Sequence, residues 1–295
     1  MNQELPICYY PTQVVFVDDD KDYLDSLLLK FHHTNIMPFT SGDRALHYLQ
    51  GKSAIATSQD DSRQVSADFG AIKQDTLADK SNQSASVVIV DYHMPEMTGL
   101  AFLDKTRALH CKKILVTGDD DYALAVDAFN RGLIDGYIRK GEPGFVEKIT
   151  KMLTQLQWDY FTTLHHPLIE SLEEPRLMQD PDFSQIFKRH LKENDIVSFC
   201  LLNAVGDFLL INAQGEQSYF VVRSREQLNK LALAAEEDGA EGAVVSSLRM
   251  GERMPFFGEG VDFWRVPGKD WGGYMRGANC SSESCWVWVL VDGPA

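Results

Sequence analysis

The chain has 295 residues, 44% of them hydrophobic, with 28 basic against 43 acidic side chains and a net charge of −15. That length can build two domains with separate cores. The acidity is shared, −7 for residues 1–164 (16 basic, 23 acidic) and −8 for 165–295 (12 basic, 20 acidic); neither half offers the basic face or helix-turn-helix pattern that nucleic acid requires, so nucleic acid is not an expected partner.

The first element is a strand, Val14-Val15-Phe16-Val17, that ends in Asp18-Asp19-Asp20. Adjacent acids at a strand end repel one another unless a cation sits between them, and a hard divalent ion such as Mg²⁺ suits such oxygens. A helix over about 21–32 follows, with Tyr23, Leu24, Leu27, Leu28 and Phe31 at helical spacing. Ile36–Phe39 reads as a second strand, and Ser41-Gly42-Asp43 opens a helix carrying Ala45, Leu46 and Leu49. Residues 51–85 are polar, with isolated apolar residues at Val65, Phe69, Ile72 and Leu77. They read as an inserted loop with one short amphipathic turn around 67–78, at the end of the sheet away from the acids.

Val87-Val88-Ile89-Val90 then carries one carboxylate, Asp91, to a strand end, and Pro95 and Gly99 turn the chain into a helix over about 98–109. In open α/β sheets the chemistry lies at the carboxyl ends of the strands, so Asp91 is presented. Ile114-Leu115-Val116-Thr117 hands a hydroxyl to a turn at Gly118; after a helix over about 120–131, Gly136-Tyr137-Ile138-Arg139-Lys140 ends in an ammonium. A last helix keeps an apolar stripe from Phe145 to Leu164, about five turns and longer than the sheet needs.

Acids, a single carboxylate, a hydroxyl and a lysine thus arrive in order from successive strands, and residues from about 12 to 163 resemble the receiver domain of bacterial two-component response regulators. That resemblance implies a flavodoxin-like, doubly wound five-strand parallel sheet in the order 2-1-3-4-5. It implies Asp91 as phosphoacceptor and Mg²⁺ held by Asp18, Asp19, Asp91 and the main-chain carbonyl of His93. Thr117 and Lys140 would hold the phosphoryl oxygens, Thr117 and Tyr137 would switch, and a sensor histidine kinase or phosphotransfer protein would be the donor. The receiver would catalyse its own phosphotransfer and a slow autodephosphorylation. Two departures stand out: Gly141 follows Lys140 where the family usually has proline, which puts in doubt the usual cis peptide there, and Gly118 replaces a commoner alanine.

The second half is reached through His165-His166-Pro167 and an acidic, proline-marked stretch to Pro181, read as a linker over 165–181. Residues 182–295 read as an α+β output domain with an antiparallel sheet. A helix over 182–192 carries Phe183, Ile186, Phe187 and Leu191. Strands over 196–202, 208–212 and 219–222 make a meander, followed by a helix over 227–237 and a terminal strand over 286–291. No catalytic motif appears, and Cys280 and Cys285 lack the second pair a zinc site needs. The dense aromatics of 254–276, with Phe256, Phe257, Phe263, Trp264, Trp271 and Tyr274, read first as core.

The expected output is a protein-interaction or dimerisation module, bound to a downstream protein or to a second copy of the chain as a homodimer. The competing reading is a divergent enzyme or small-molecule-binding domain gated by the receiver, which a deep pocket in 254–276 would favour. Five scattered cysteines suit a reducing compartment. Met1–Tyr10 lacks a signal peptide's basic start and apolar stretch, and no apolar run reaches membrane-spanning length. The expected location is the cytoplasm.

Overall fold

The computed structural model describes residues 4–31, 34–57, 68–77, 84–118, 122–170, 172, 176–258, 265–280 and 285–293. They form two compact units. The described residues of 10–64 and 78–164 make the first, and those of 1–9, 65–77 and 165–295 make the second.

From the N-terminus the elements are β1 (Cys8–Tyr9), β2 (Gln13–Val17), α1 (Lys21–Lys30), β3 (Ile36–Phe39), α2 (Gly42–Thr57), α3 (Phe69–Leu77), β4 (Ala85–Asp91), α4 (Gly99–Lys105), β5 (Lys112–Thr117), α5 (Tyr122–Asn130), β6 (Gly136–Arg139) and α6 (Phe145–Ile169). In the first unit a five-stranded sheet runs β3-β2-β4-β5-β6, every adjacent pair parallel. Counted within that unit, this is the order 2-1-3-4-5.

Its strands are apolar on both faces because both are covered. Val14, Phe16, Val87, Ile89, Ile114 and Val116 pack with Leu24 and Leu27 of α1 and Ile149, Leu153 and Leu156 of α6. Their neighbours Val15, Val17, Val88, Val90 and Leu115 pack with Ala45, Phe102, Leu103 and Ala128 on the other side. Alternation along each strand therefore sends residues to opposite layers, and the strand ends converge on one edge. The third acid of the first run caps α1: an Asp20 carboxylate oxygen accepts from the Tyr23 amide at 3.0 Å. Thr98 caps α4 in the same way, accepting from Ala101 N at 3.2 Å. Gly99 is required by close approach, since a Cβ there would lie 2.4 Å from the Asp91 carbonyl oxygen.

The second unit adds α7 (Arg176–Gln179), α8 (Pro181–Glu193), β7 (Ile196–Leu201), β8 (Asp207–Asn212), β9 (Gln217–Ser224), α9 (Arg225–Glu237), α10 (Gly242–Met250), β10 (Arg253–Pro255), β11 (Met275–Gly277), β12 (Asn279–Cys280) and β13 (Trp286–Asp292). Six strands form an antiparallel sheet in the order β1-β7-β8-β9-β13-β12, and β10 pairs with β11. Asp180 caps α8 through the Phe183 amide at 2.8 Å, and Pro181 occupies its first turn. That helix lays Phe183 and Phe187 among Phe199, Phe208 and Phe220 of the sheet. Ser224 and Gln227 close a capping box on α9, and Gly251, at φ +68, ends α10.

The division of the chain differs from the sequence expectation in three places. The receiver half was expected to span 1–164, but residues 4–9 do not belong with it. Leu5, Ile7 and Cys8 are buried in the second unit, where β1 pairs with β7. The insertion 51–85 is not a loop throughout: α2 runs on to Thr57, and Phe69–Leu77 is a nine-residue helix packed against β1 and β7. Val65 lies outside the described residues. The linker expected from residue 165 begins as helix, since α6 is continuous through Pro167 to Ile169. His165 is buried, with Nε2 3.5 Å from Cys8 Sγ, and burial pushes that thiol far above its ordinary pKa. It is packed interior.

Excising 68–77 is therefore expected to destabilise the second unit and spare the first. The strands of the second unit should lose hydrogen-exchange protection in the deletion variant while those of the five-stranded sheet keep theirs. Unchanged protection in β7 would refute the packing role.

Candidate functional site

Four strand ends meet at the carboxyl edge of the five-stranded sheet. Asp18, the residue after β2, is fully buried; Asp91, the last residue of β4, is 4% exposed; Asp19 beside Asp18 is open to solvent. Oxygens of Asp18, Asp19 and Asp91 lie within 4.8 Å of one another, the one such cluster of three donor side chains among the described residues. Lys140 reaches in from the end of β6, its Nζ 2.7 Å from Asp18 Oδ2 and 2.8 Å from Asp91 Oδ1. The remaining oxygens are also engaged: Asp18 Oδ1 accepts from Asp20 N at 3.1 Å and Asp91 Oδ2 from His93 N at 3.0 Å.

Burial pushes the Asp18 carboxyl above its usual range, against the pull of the Lys140 ammonium. For Lys140, burial alone would lower the value, but the bonds to Asp18 and Asp91 carry it above an ordinary lysine. The ammonium therefore stays charged at neutral pH.

Three carboxylates against one ammonium leave two negative charges uncompensated in a largely buried cluster. Hard oxygens at this spacing and a deficit of two suit a divalent cation of the Mg²⁺ kind. Asp18, Asp19 and Asp91 are the side chains that would hold it.

Thr117 ends β5, buried, and its carbonyl accepts from Lys140 N at 2.8 Å. Hydroxyl and ammonium are thereby tied to one pair of strand ends. Tyr137 is half-buried, its ring against the apolar layer that holds Phe102 and Ala128. Gly141 stands at φ +71, a conformation closed to the proline that usually follows the family's lysine, and no cis peptide bond occurs among the described residues. At Gly118 a Cβ would meet nothing within 4 Å, so alanine would fit there as well. Residues 119–121 of the loop after Thr117 lie outside the described residues.

One residue of the site carried no signal in the sequence. Tyr23, an element of the apolar stripe of α1, lays its ring 4.7 Å from Lys140 Nζ. Neither spacing nor chemistry marked it, because the contact forms only when α1 and β6 fold onto the same edge.

In the second unit the aromatics of 254–276 serve packing. Trp271 is buried with its indole N–H bonded to the Val266 carbonyl at 2.9 Å, and Phe257 rests on Trp271 and Tyr274. Phe263 and Trp264 lie outside the described residues. A cavity of about 780 Å³ opens elsewhere, lined by His190, Asn194, Asn212, Glu216, Ser218 and Asp292 among others. Cys280 and Cys285 are exposed.

A doubly wound parallel sheet in this order, with an acid cluster and a lysine at its carboxyl edge, defines the receiver class. Over its whole length the chain is similar to the Legionella pneumophila response regulator LqsR, with 30% identity and a TM-score of 0.86, covering 100% of this chain and 91% of that one. The chain belongs to the response regulators, the family of two-component signalling. Two shorter likenesses are the receiver domain of an HD domain-containing protein from Pseudomonas fluorescens Pf-5 (18% identity, TM-score 0.39, 52% of this chain and 93% of that one) and a CheY-like receiver domain from Methanospirillum hungatei JF-1 (22%, 0.35, 50% and 97%). No family model and no curated protein matches the chain. No helix among the described residues is long and apolar enough to cross a membrane.

Proposed function

We propose that the first unit takes a phosphoryl group onto Asp91 in an Mg²⁺-dependent transfer, and that this modification controls the second unit as an output that does not bind DNA. The observation that carries the reading is the placement of Asp91: a nearly buried carboxylate at the end of the central strand, paired with the Lys140 ammonium that also pairs with Asp18.

A carboxylate is a modest nucleophile, so an activated donor, the phosphohistidine of a sensor kinase or phosphotransfer protein, fits the chemistry. An Asp91 oxygen forms a bond to phosphorus as the donor's bond breaks, and the site contributes position and charge. When bound, Mg²⁺ would supply the positive charge that lets an anionic phosphoryl group approach three acids. Asp18, Asp19, Asp91 and the His93 carbonyl would hold it. Lys140 keeps one cationic contact on the transferring group. Thr117 gains a phosphoryl partner only after transfer, which makes its hydroxyl the reader of the product, with Tyr137 repacking beside it. Autodephosphorylation is slow, and the protein acts in the cytoplasm. The second unit, acidic and without a catalytic motif, serves a downstream protein or a second copy of the chain.

Incubation with acetyl phosphate and Mg²⁺ tests the reading by intact mass. One phosphoryl group is expected per chain, lost when EDTA replaces the metal. Equal labelling with and without EDTA would sink the metal-dependent mechanism.

A further inference from the structure

Resting on the reading above, in which the acid cluster takes a divalent cation, we infer that Tyr23 is a positioning residue for Lys140: its ring holds the ammonium on Asp18 and Asp91 in the metal-free protein and so competes with the cation for those oxygens. The geometry is specific. Lys140 Nζ stands 4.7 Å from the centre of the Tyr23 ring while pairing with Asp18 Oδ2 at 2.7 Å and Asp91 Oδ1 at 2.8 Å. An ammonium seated there meets an aromatic face as well as two carboxylates.

The Tyr23 hydroxyl is buried with no hydrogen-bond partner among the described residues, so what the residue brings to this place is a π-face. Burial, with Asp18 and Asp91 nearby, also pushes that hydroxyl's pKa up, which keeps the ring neutral. The ring is itself braced, edge-on to Phe16 and tilted against Phe145, with centroids 6.5 Å away in each case.

The ammonium already supplies positive charge to two of the three acids. A divalent ion that takes Asp18 Oδ2 must draw that oxygen from Lys140, since only Oδ1 is held elsewhere, by Asp20 N, and an ammonium moved from Asp18 Oδ2 leaves the ring as well. The ring's attraction for the cation is therefore part of the cost of metal binding. At a half-buried site such an attraction corresponds to about a two- to fivefold factor in an equilibrium constant.

Tyr23→Leu removes the π-face and Tyr23→Phe keeps it. Mg²⁺ binding by the full chain, followed by calorimetric titration without any phosphoryl donor, should give a Kd about two- to fivefold lower in Tyr23→Leu and unchanged in Tyr23→Phe. A brace that merely shaped the site would shift the Kd upward or not at all, so either result would overturn the inference. A metal-free double-mutant cycle of Tyr23→Leu with Lys140→Met isolates the contact from the packing cost of leucine, which is common to both backgrounds. Urea unfolding should show non-additivity of the same two- to fivefold size, and additivity would overturn the hold on the ammonium. Wild-type protein that takes no Mg²⁺ would remove the metal-dependent reading and with it the competition, while the cycle would still decide the Tyr23 contact.

Discussion

Asp91→Asn should abolish labelling by acetyl phosphate, a fall on the order of 10³-fold or more, because in the proposed transfer Asp91 is the nucleophile. Asp18 and Asp19 do not replace it. Asp18 is fully buried with both oxygens occupied, by Asp20 N and by Lys140, and Asp19 faces solvent. The amide retains the size of the acid and can still accept from His93 N, so the fold should survive and far-UV circular dichroism should match wild type. Labelling that persists in Asp91→Asn would move the phosphoacceptor elsewhere. Thr117→Ala provides the contrast. It leaves Asp91 and Lys140 in place, so the variant should accept the group yet lack the change in hydrogen exchange over 122–164 that is expected of the phosphorylated wild type.

Phe187→Ala is the second large effect, with an expected loss of about 3–5 kcal/mol from the second unit. Phe187 is fully buried, and its ring centre lies 4.7 Å from Phe208, 5.1 Å from Phe199, 5.3 Å from Phe220 and 5.6 Å from Phe183. Truncation leaves a cavity among four rings that belong to three strands and a helix, which cannot all close on it. Urea unfolding followed by the fluorescence of buried Trp286 and Trp271 should show the midpoint fall, and Phe187→Leu should recover most of the loss. A change below about 1 kcal/mol would mean that this cluster is not the centre of the core.

The receiver half was legible because its signals are local. A strand that will be covered on both faces must be apolar at every position, so Val87–Val90 reads as a strand without knowledge of its neighbours, and the polar residue that ends it must lie on the sheet edge. Alternation of strand and helix leaves few topologies, and the receiver resemblance that the acids, hydroxyl and lysine carry implies one of them. The residues of the candidate site were all named from this pattern except Tyr23. The second half was legible only in part, for the same reason: the hairpin strands β7, β8 and β9 are neighbours in sequence and were found, whereas the strands β10, β11 and β12 and the helix α10 were not.

What the sequence by itself determined is thus the alternation of strand and helix and the identity of the groups at the sheet's carboxyl edge, with the strand order following from the receiver resemblance those groups carry. Only the tertiary structure decided where the chain's short and distant pieces go. Two residues, Cys8 and Tyr9, cannot announce a strand; they become one because Cys200 and Phe199 offer them an edge to pair with. Phe69–Leu77 has too weak an apolar face to declare a partner, and finds it on β1 and β7. His165 looked like part of a linker until the buried Cys8, 157 residues earlier, was folded against it. Tyr23 reads as one more apolar side chain until α1 brings its ring to Lys140. In each case the deciding energy is a contact between residues far apart in the chain, and no local periodicity encodes that.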